Sequence, residues 1–165
     1  GTGLLTLVEQ NAGGPAITPD GKTVLFSPFG LPGLFSVPIG GGPVTQLTKL
    51  FVASAPSVSP DGKRILFGSG NPGTSILCDL PACTNQKELP LKNYQWAPDG
   101  QGIAFINEDD RRNLWEQPLD GGRPRPLTKF ADARILEFSY SPDGKRLVLS
   151  RGYLADDIVL LKGLQ

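Results

Sequence analysis

Ser141-Pro142-Asp143-Gly144-Lys145 holds the residues of a tight turn and leads straight into an apolar run, Leu147-Val148-Leu149. Proline presets φ for the first corner, aspartate can bond nearby backbone amides, and glycine takes the positive φ that follows. The stretch recurs as Thr18-Pro19-Asp20-Gly21-Lys22, Ser59-Pro60-Asp61-Gly62-Lys63 and Ala97-Pro98-Asp99-Gly100-Gln101. Each copy precedes a β-rich run: Val24-Leu25-Phe26, Ile65-Leu66-Phe67 and Ile103-Ala104-Phe105. The motif is that of a hairpin turn entering a strand.

Two further markers keep the same period. The turn aspartates at 20, 61, 99 and 143 are spaced by 41, 38 and 44 residues. The strand Leu34-Phe35-Ser36-Val37 is echoed by Ile76-Leu77-Cys78, Leu114-Trp115-Glu116 and Ile158-Val159-Leu160-Leu161, with steps of 42, 38 and 44. Gly41-Gly42-Pro43-Val44-Thr45-Gln46-Leu47-Thr48 returns as Gly121-Gly122-Arg123-Pro124-Arg125-Pro126-Leu127-Thr128. A period near forty residues, all strand and turn, fits a four-stranded propeller blade. No segment carries apolar residues at helical spacing behind a capping box, so almost no helix is expected.

The expected architecture is an all-β propeller segment of four blades, each of four antiparallel strands. Residues 1–10 read as the outer strand of a preceding or closing blade. Blades one to four then occupy 11–49, 50–91, 92–129 and 130–165. Innermost strands are expected over 55–58, 93–96 and 135–140. The last blade ends after its third strand, so Leu4-Leu5-Thr6-Leu7 is expected to supply the missing outer strand, either to that blade or to a neighbour. A closed four-bladed ring, an eight-bladed ring from two chains, and a fragment of a longer propeller all satisfy this count; open edges would recruit another chain.

Composition narrows the function classes. Sixteen basic residues balance sixteen acidic ones, so charge favours neither nucleic acid nor an anionic membrane. No apolar run reaches the roughly 20 residues that span a bilayer, and no basic-then-apolar leader is present. The absence of Met, even at position 1, leads us to expect a piece of a longer or processed product. The absence of His removes the commonest general base and metal ligand.

The turn, the aromatic strand and the Gly-Gly-x-Pro…Leu-Thr ending resemble the PD40, or TolB-like (WD40-like), propeller repeats of bacteria. The second half is more particular. Cys78-Asp79-Leu80-Pro81-Ala82-Cys83-Thr84-Asn85, Trp96-Ala97-Pro98-Asp99-Gly100, Asn113-Leu114-Trp115-Glu116-Gln117-Pro118-Leu119-Asp120-Gly121-Gly122 and the ending Asp157-Ile158-Val159-Leu160-Leu161-Lys162-Gly163-Leu164 are similar to one subgroup. That subgroup is the carboxy-terminal propeller of acidobacterial-type receptor serine/threonine kinases. The resemblance implies a sensing or docking domain outside the cytoplasmic membrane. It implies no kinase activity, since this sequence contains neither a kinase domain nor a membrane helix.

Residues capable of chemistry have structural readings beside the functional ones. Cys78 and Cys83 flank a Pro-containing turn; a disulfide, fitting an oxidising compartment, is favoured over two free buried thiols. A metal site lacks further Cys or His ligands. Gly68-Ser69-Gly70-Asn71-Pro72-Gly73 matches a dinucleotide fingerprint in its letters, but Pro72 and the strand that follows make it a loop. Glu108-Asp109-Asp110-Arg111-Arg112 and Asp156-Asp157 read as solvated loops rather than calcium sites. Asp20, Asp61, Asp99 and Asp143, with Pro19, Pro60, Pro98, Pro142, Gly21, Gly62, Gly100 and Gly144, read as turn residues rather than an acidic catalytic set. Trp96, Trp115, Tyr94, Phe35 and Phe138 are expected between blades, with sugar stacking the alternative for any that is exposed. No serine sits in a nucleophile elbow.

The expected function is a non-catalytic scaffold without cofactor, binding a protein or small ligand. Its rivals are a structural subunit assembled through its edges and the gating propeller of a hydrolase whose catalytic domain is not in this sequence.

Overall fold

The computed structural model describes residues 6–8 and 11–153 of the 165-residue chain. Among them are fourteen strands and no helix. The first sheet is β1 (Ala12–Ile17), β2 (Thr23–Pro28), β3 (Leu34–Pro38) and β4 (Thr45–Thr48), paired in sequence order. The second is β5 (Ser57–Val58), β6 (Arg64–Gly68), β7 (Ser75–Asp79) and β8 (Thr84–Leu89). The third is β9 (Tyr94–Trp96), β10 (Gly102–Ile106), β11 (Leu114–Pro118) and β12 (Arg125–Pro126). The fourth contains β13 (Arg134–Tyr140) and β14 (Leu147–Gly152). All pairings are antiparallel meanders, as short turn connections require. This is the expected all-β, four-blade segment. The strand Ile158-Val159-Leu160-Leu161, with Leu4 and Leu5 of the proposed closing strand, lies outside the described residues; Thr6 and Leu7 are not in a strand.

Strand alternation explains how the sheets stack. In β6, Ile65 and Phe67 point into a core shared with Leu25 and Leu34 of blade one. Leu66, between them, points the other way and joins Trp96, Ile103 and Phe105 of blade three. In β10 the pattern repeats: Ile103 and Phe105 face blade two, while Ala104 and Ile106 meet Ile135 of blade four. The second strand of each middle blade is therefore apolar on both faces, a continuous run rather than an alternation. Each fully buried side chain of this size contributes roughly 1.5–3 kcal/mol, so the three inter-blade cores hold the segment together.

The inner strands differ from expectation in one place. β5 covers only Ser57–Val58 because Pro56, lacking an N–H, cannot extend the ladder. Two polar links also tie neighbouring blades. Trp96 Nε1 donates to the Ser57 carbonyl at 3.0 Å. Gln95 donates through Nε2 to the Phe138 carbonyl at 2.9 Å and accepts from the Tyr140 amide at 3.3 Å. On the far side of β14, Val148 is 67% exposed.

Candidate functional site

The loops fall into two sets. The Pro-Asp-Gly turns join the first strand of each blade to the second. Thr18 Oγ1 donates to Asp20 Oδ1 at 2.6 Å, and the same oxygen accepts from the Lys22 amide at 3.1 Å. Ser59 and Asp61 repeat this at 2.6 and 3.0 Å, Ser141 and Asp143 at 2.5 and 3.1 Å. Hydroxyl donation first, and amide donation second, holds the carboxyls of Asp20, Asp61 and Asp143 below the usual carboxylate range. Asp99 accepts from the Gln101 amide at 2.9 Å, but Ala97 offers it no hydroxyl. Each of these carboxylates is bonded within its own turn, and the four occupy four separate blades.

Cys78 and Cys83 are joined in a disulfide that closes the β7–β8 turn, and both are buried. Among the described residues no group of His, Cys, Asp and Glu is arranged to hold a metal ion.

The other set of loops joins second to third strands and links blade to blade. Gly68–Gly73 lies here as a hairpin loop, with the Ser69 amide donating to the Thr74 carbonyl at 3.0 Å and Asn71 Nδ2 donating to Glu88 at 3.0 Å. No helix follows it, so it has no dipole end to offer a pyrophosphate. In the equivalent loop of blade three, Asp110 pairs with Arg112 at 3.0 Å and accepts from Asn113 Nδ2 at 3.0 Å. Those two donors, Asn113 foremost, hold its carboxyl below the usual range.

Aromatic residues divide between core and surface. Trp96 is buried, and Tyr94 and Trp115 pack against the same core. Phe138 packs on the next core, and Phe35 stacks on Phe26 with centroids 5.8 Å apart. None of these presents an open ring platform. Two other rings do. Phe29 is 72% exposed and Phe51 60% exposed, and with Leu31 they border a shallow groove of about 220 Å³. Small residues, Gly13, Gly14 and Gly30 among them, line it, and a Cβ placed on Gly13 would lie 2.7 Å from the Phe29 ring. Sequence reading passed over both rings. The signal was available in Phe29-Gly30-Leu31-Pro32-Gly33, where large apolar residues sit among turn formers in a loop that water should favour.

No protein-family model and no curated protein matches the chain. Solved structures do. TolB from Acinetobacter baumannii superposes with a TM-score of 0.65 at 25% identity, over 85% of this chain and 37% of that one. A putative TolB from Agrobacterium tumefaciens gives 0.58 at 24%, over 86% and 54%. An oligogalacturonate lyase in complex with manganese gives 0.66 at 15% identity, over 84% and 46%, a likeness of fold alone. The chain thus has a TolB-like propeller fold and spans between about a third and about half of the length of these structures.

Proposed function

We propose that the chain is a non-catalytic propeller scaffold that binds a protein partner through the loops of blades one and two. The observation that carries this reading is the exposed cluster Phe29, Leu31 and Phe51 around a glycine-lined groove. Large aromatic side chains left in water on rigid loops are a poor use of apolar area unless another surface covers them. The sheets behind supply that rigidity, since β2, β3 and β6 are anchored in the first inter-blade core.

We place the scaffold in a larger bacterial protein, outside the cytoplasmic membrane, as a sensing or docking domain. Three things support this: the disulfide, the TolB-like fold, and the resemblance to receptor-kinase propellers. A sequence without His, whose turn carboxylates are spent on their own backbone, supports the absence of catalysis.

Photo-crosslinkers at positions 29, 31 and 51, introduced one at a time in the source cells, test the docking reading. Traps at these positions should capture one common protein, and traps at Ile39 and Val44, exposed on the β3–β4 turn, should not. Equal capture from both regions, or none from the aromatic cluster, refutes it.

A second reading is favoured by Val148, exposed on the face of β14 opposite the core that Leu147 and Leu149 pack. A blade face of this kind invites a further blade, from the same protein or from a second copy, as in a structural subunit. Light scattering behind size exclusion separates the two: a single-chain mass removes self-assembly, and a larger mass that Val148→Asp reduces to one chain supports it.

A further inference from the structure

We propose that a hollow between blades two and three binds a small zwitterion, an α-amino acid or short peptide carrying a free ammonium and a free carboxylate. The hollow measures about 410 Å³ and lies beside the loop that follows β10, away from the Phe29–Phe51 groove. Such a volume is within the usual range for small-ligand sites.

Its charges are held apart rather than paired. Lys92 leans over Gly73 of blade two: a Cβ on that glycine would lie 2.9 Å from Lys92 Cε and 3.7 Å from Nζ. Glu108 and Asp109 line the hollow from blade three. Among the described residues neither carboxylate joins an ion pair, and neither does Lys92, although the next residue, Asp110, is fully engaged by Arg112 and Asn113. One ammonium on the link between blades two and three and two carboxylates on the loop after β10 thus stand outside any ion pair around a common space, although the carboxylates border Arg111, Arg112 and Arg134 on their other side.

Two amides add directional groups. Asn107 Oδ1 is spent on the Asp109 amide at 2.9 Å, which leaves its Nδ2 free to donate. Gln117 Nε2 donates to the Pro118 and Gly122 carbonyls at 2.9 and 3.0 Å, which leaves its Oε1 free to accept. Leu91, Phe105 and Ile106 form an apolar wall. A phosphate ligand would meet two carboxylates against one ammonium, and a metal ion would meet Lys92. A sugar would find no open ring, since Phe105 is buried. A ligand with both charges and a short aliphatic body satisfies every group.

Calorimetric titration of the full chain with Gly-Leu, N-acetyl-Gly-Leu and Gly-leucinamide tests the assignment. Gly-Leu should bind saturably, and each blocked form should bind about tenfold more weakly, the effect of one partly exposed charge-assisted hydrogen bond. In Lys92→Gln the amide should bind as well as Gly-Leu, with the acetyl penalty intact. In Glu108→Gln/Asp109→Asn the acetyl form should bind as well as Gly-Leu, with the amide penalty intact. All three side chains are exposed, and thermal melts should confirm that the variants fold. No saturable binding of Gly-Leu, blocked forms binding equally to the parent chain, or variants that weaken all three probes alike would each overturn it. Those outcomes leave the docking cluster on blades one and two untouched.

Discussion

Gly144 of the last turn rests on Pro98 of the turn before it, so closely that a Cβ added to the glycine would lie 2.5 Å from the proline Cβ. The two earlier steps repeat the contact more loosely: a Cβ on Gly100 would stand 3.8 Å from Pro60, and one on Gly62 3.7 Å from Pro19. The Pro-Asp-Gly motif therefore does two jobs. It turns its own hairpin, and it seats each turn on the proline of the preceding blade. Every one of these glycines has φ near +70°, where side chains are strained regardless of space.

Comparing glycines separates strain from contact. Gly21 has the same conformation, φ 70°, but nothing within 4 Å of its Cβ position. Gly21→Ala is expected to cost about 1–2 kcal/mol, the price of a left-handed non-glycine residue. Gly144→Ala should cost roughly 1–3 kcal/mol more, from overpacking against Pro98. Urea unfolding of the two variants measures the difference, and equal losses would mean that the turn-on-turn contact gives way freely.

Acid should loosen the turns in a defined direction. The folded-state carboxyls of Asp20, Asp61 and Asp143 lie below their ordinary value, so they favour the folded chain above the unfolded-state pKa of about 3.9. That contribution is lost as pH falls through the folded-state value. Ser59→Ala removes the largest cause at Asp61, so its carboxyl should titrate at higher pH and acid unfolding should begin at higher pH. Carboxyl NMR titration of parent and variant reads the first effect directly.

The disulfide is expected to resist reduction in the folded chain. Cys78 and Cys83 are 1% and 3% exposed, so a reductant reaches them only after local opening. Thiol labelling in reductant should be slow without urea and fast with it. Cys78→Ala/Cys83→Ala should cost about 2 kcal/mol through the freed short loop, plus the lost packing of two buried sulfurs. Fast labelling of the native chain would mean that the β7–β8 turn opens on its own.

How much of this was legible beforehand follows from the range of each interaction. The strands of blades one to three and their turns depend on local rules, and Pro-Asp-Gly with an apolar run announces them. β12 is shorter than its copy β4, with Pro124 standing just before it and Pro126, which has no N–H to donate, inside it, which is also a local effect. The seating of Gly144 on Pro98 was not legible, because it depends on the rotation between blades. Phe29 and Phe51 escaped notice for another reason: an apolar letter in a repeat reads as core until the backbone shows which way it points. The hollow beside Lys92 unites a link, a loop and an edge of two blades, and no spacing in the sequence brings these together.

One copy of the turn is incomplete, and completing it tests the whole account of the motif. In blade two, Ser59 Oγ donates to Asp61 at 2.6 Å and accepts from the Arg64 amide at 2.9 Å. Blade three has the same backbone frame, with the Ala97 amide donating to the Gly102 carbonyl at 2.9 Å as Ser59 does to Arg64. Ala97 is as buried as Ser59 and lacks only the hydroxyl. Ala97→Ser should therefore place a hydroxyl between the Asp99 carboxylate and the Gly102 amide without displacing a neighbour. Two modest hydrogen bonds in a half-exposed turn should raise stability by about 0.5–1.5 kcal/mol at neutral pH. Asp99→Asn should remove most of that gain when combined with it, because the amide is the weaker acceptor. A destabilised Ala97→Ser chain would show that the serine frame of blade two does not transfer, and that the turns are set by their blades rather than by their own five residues.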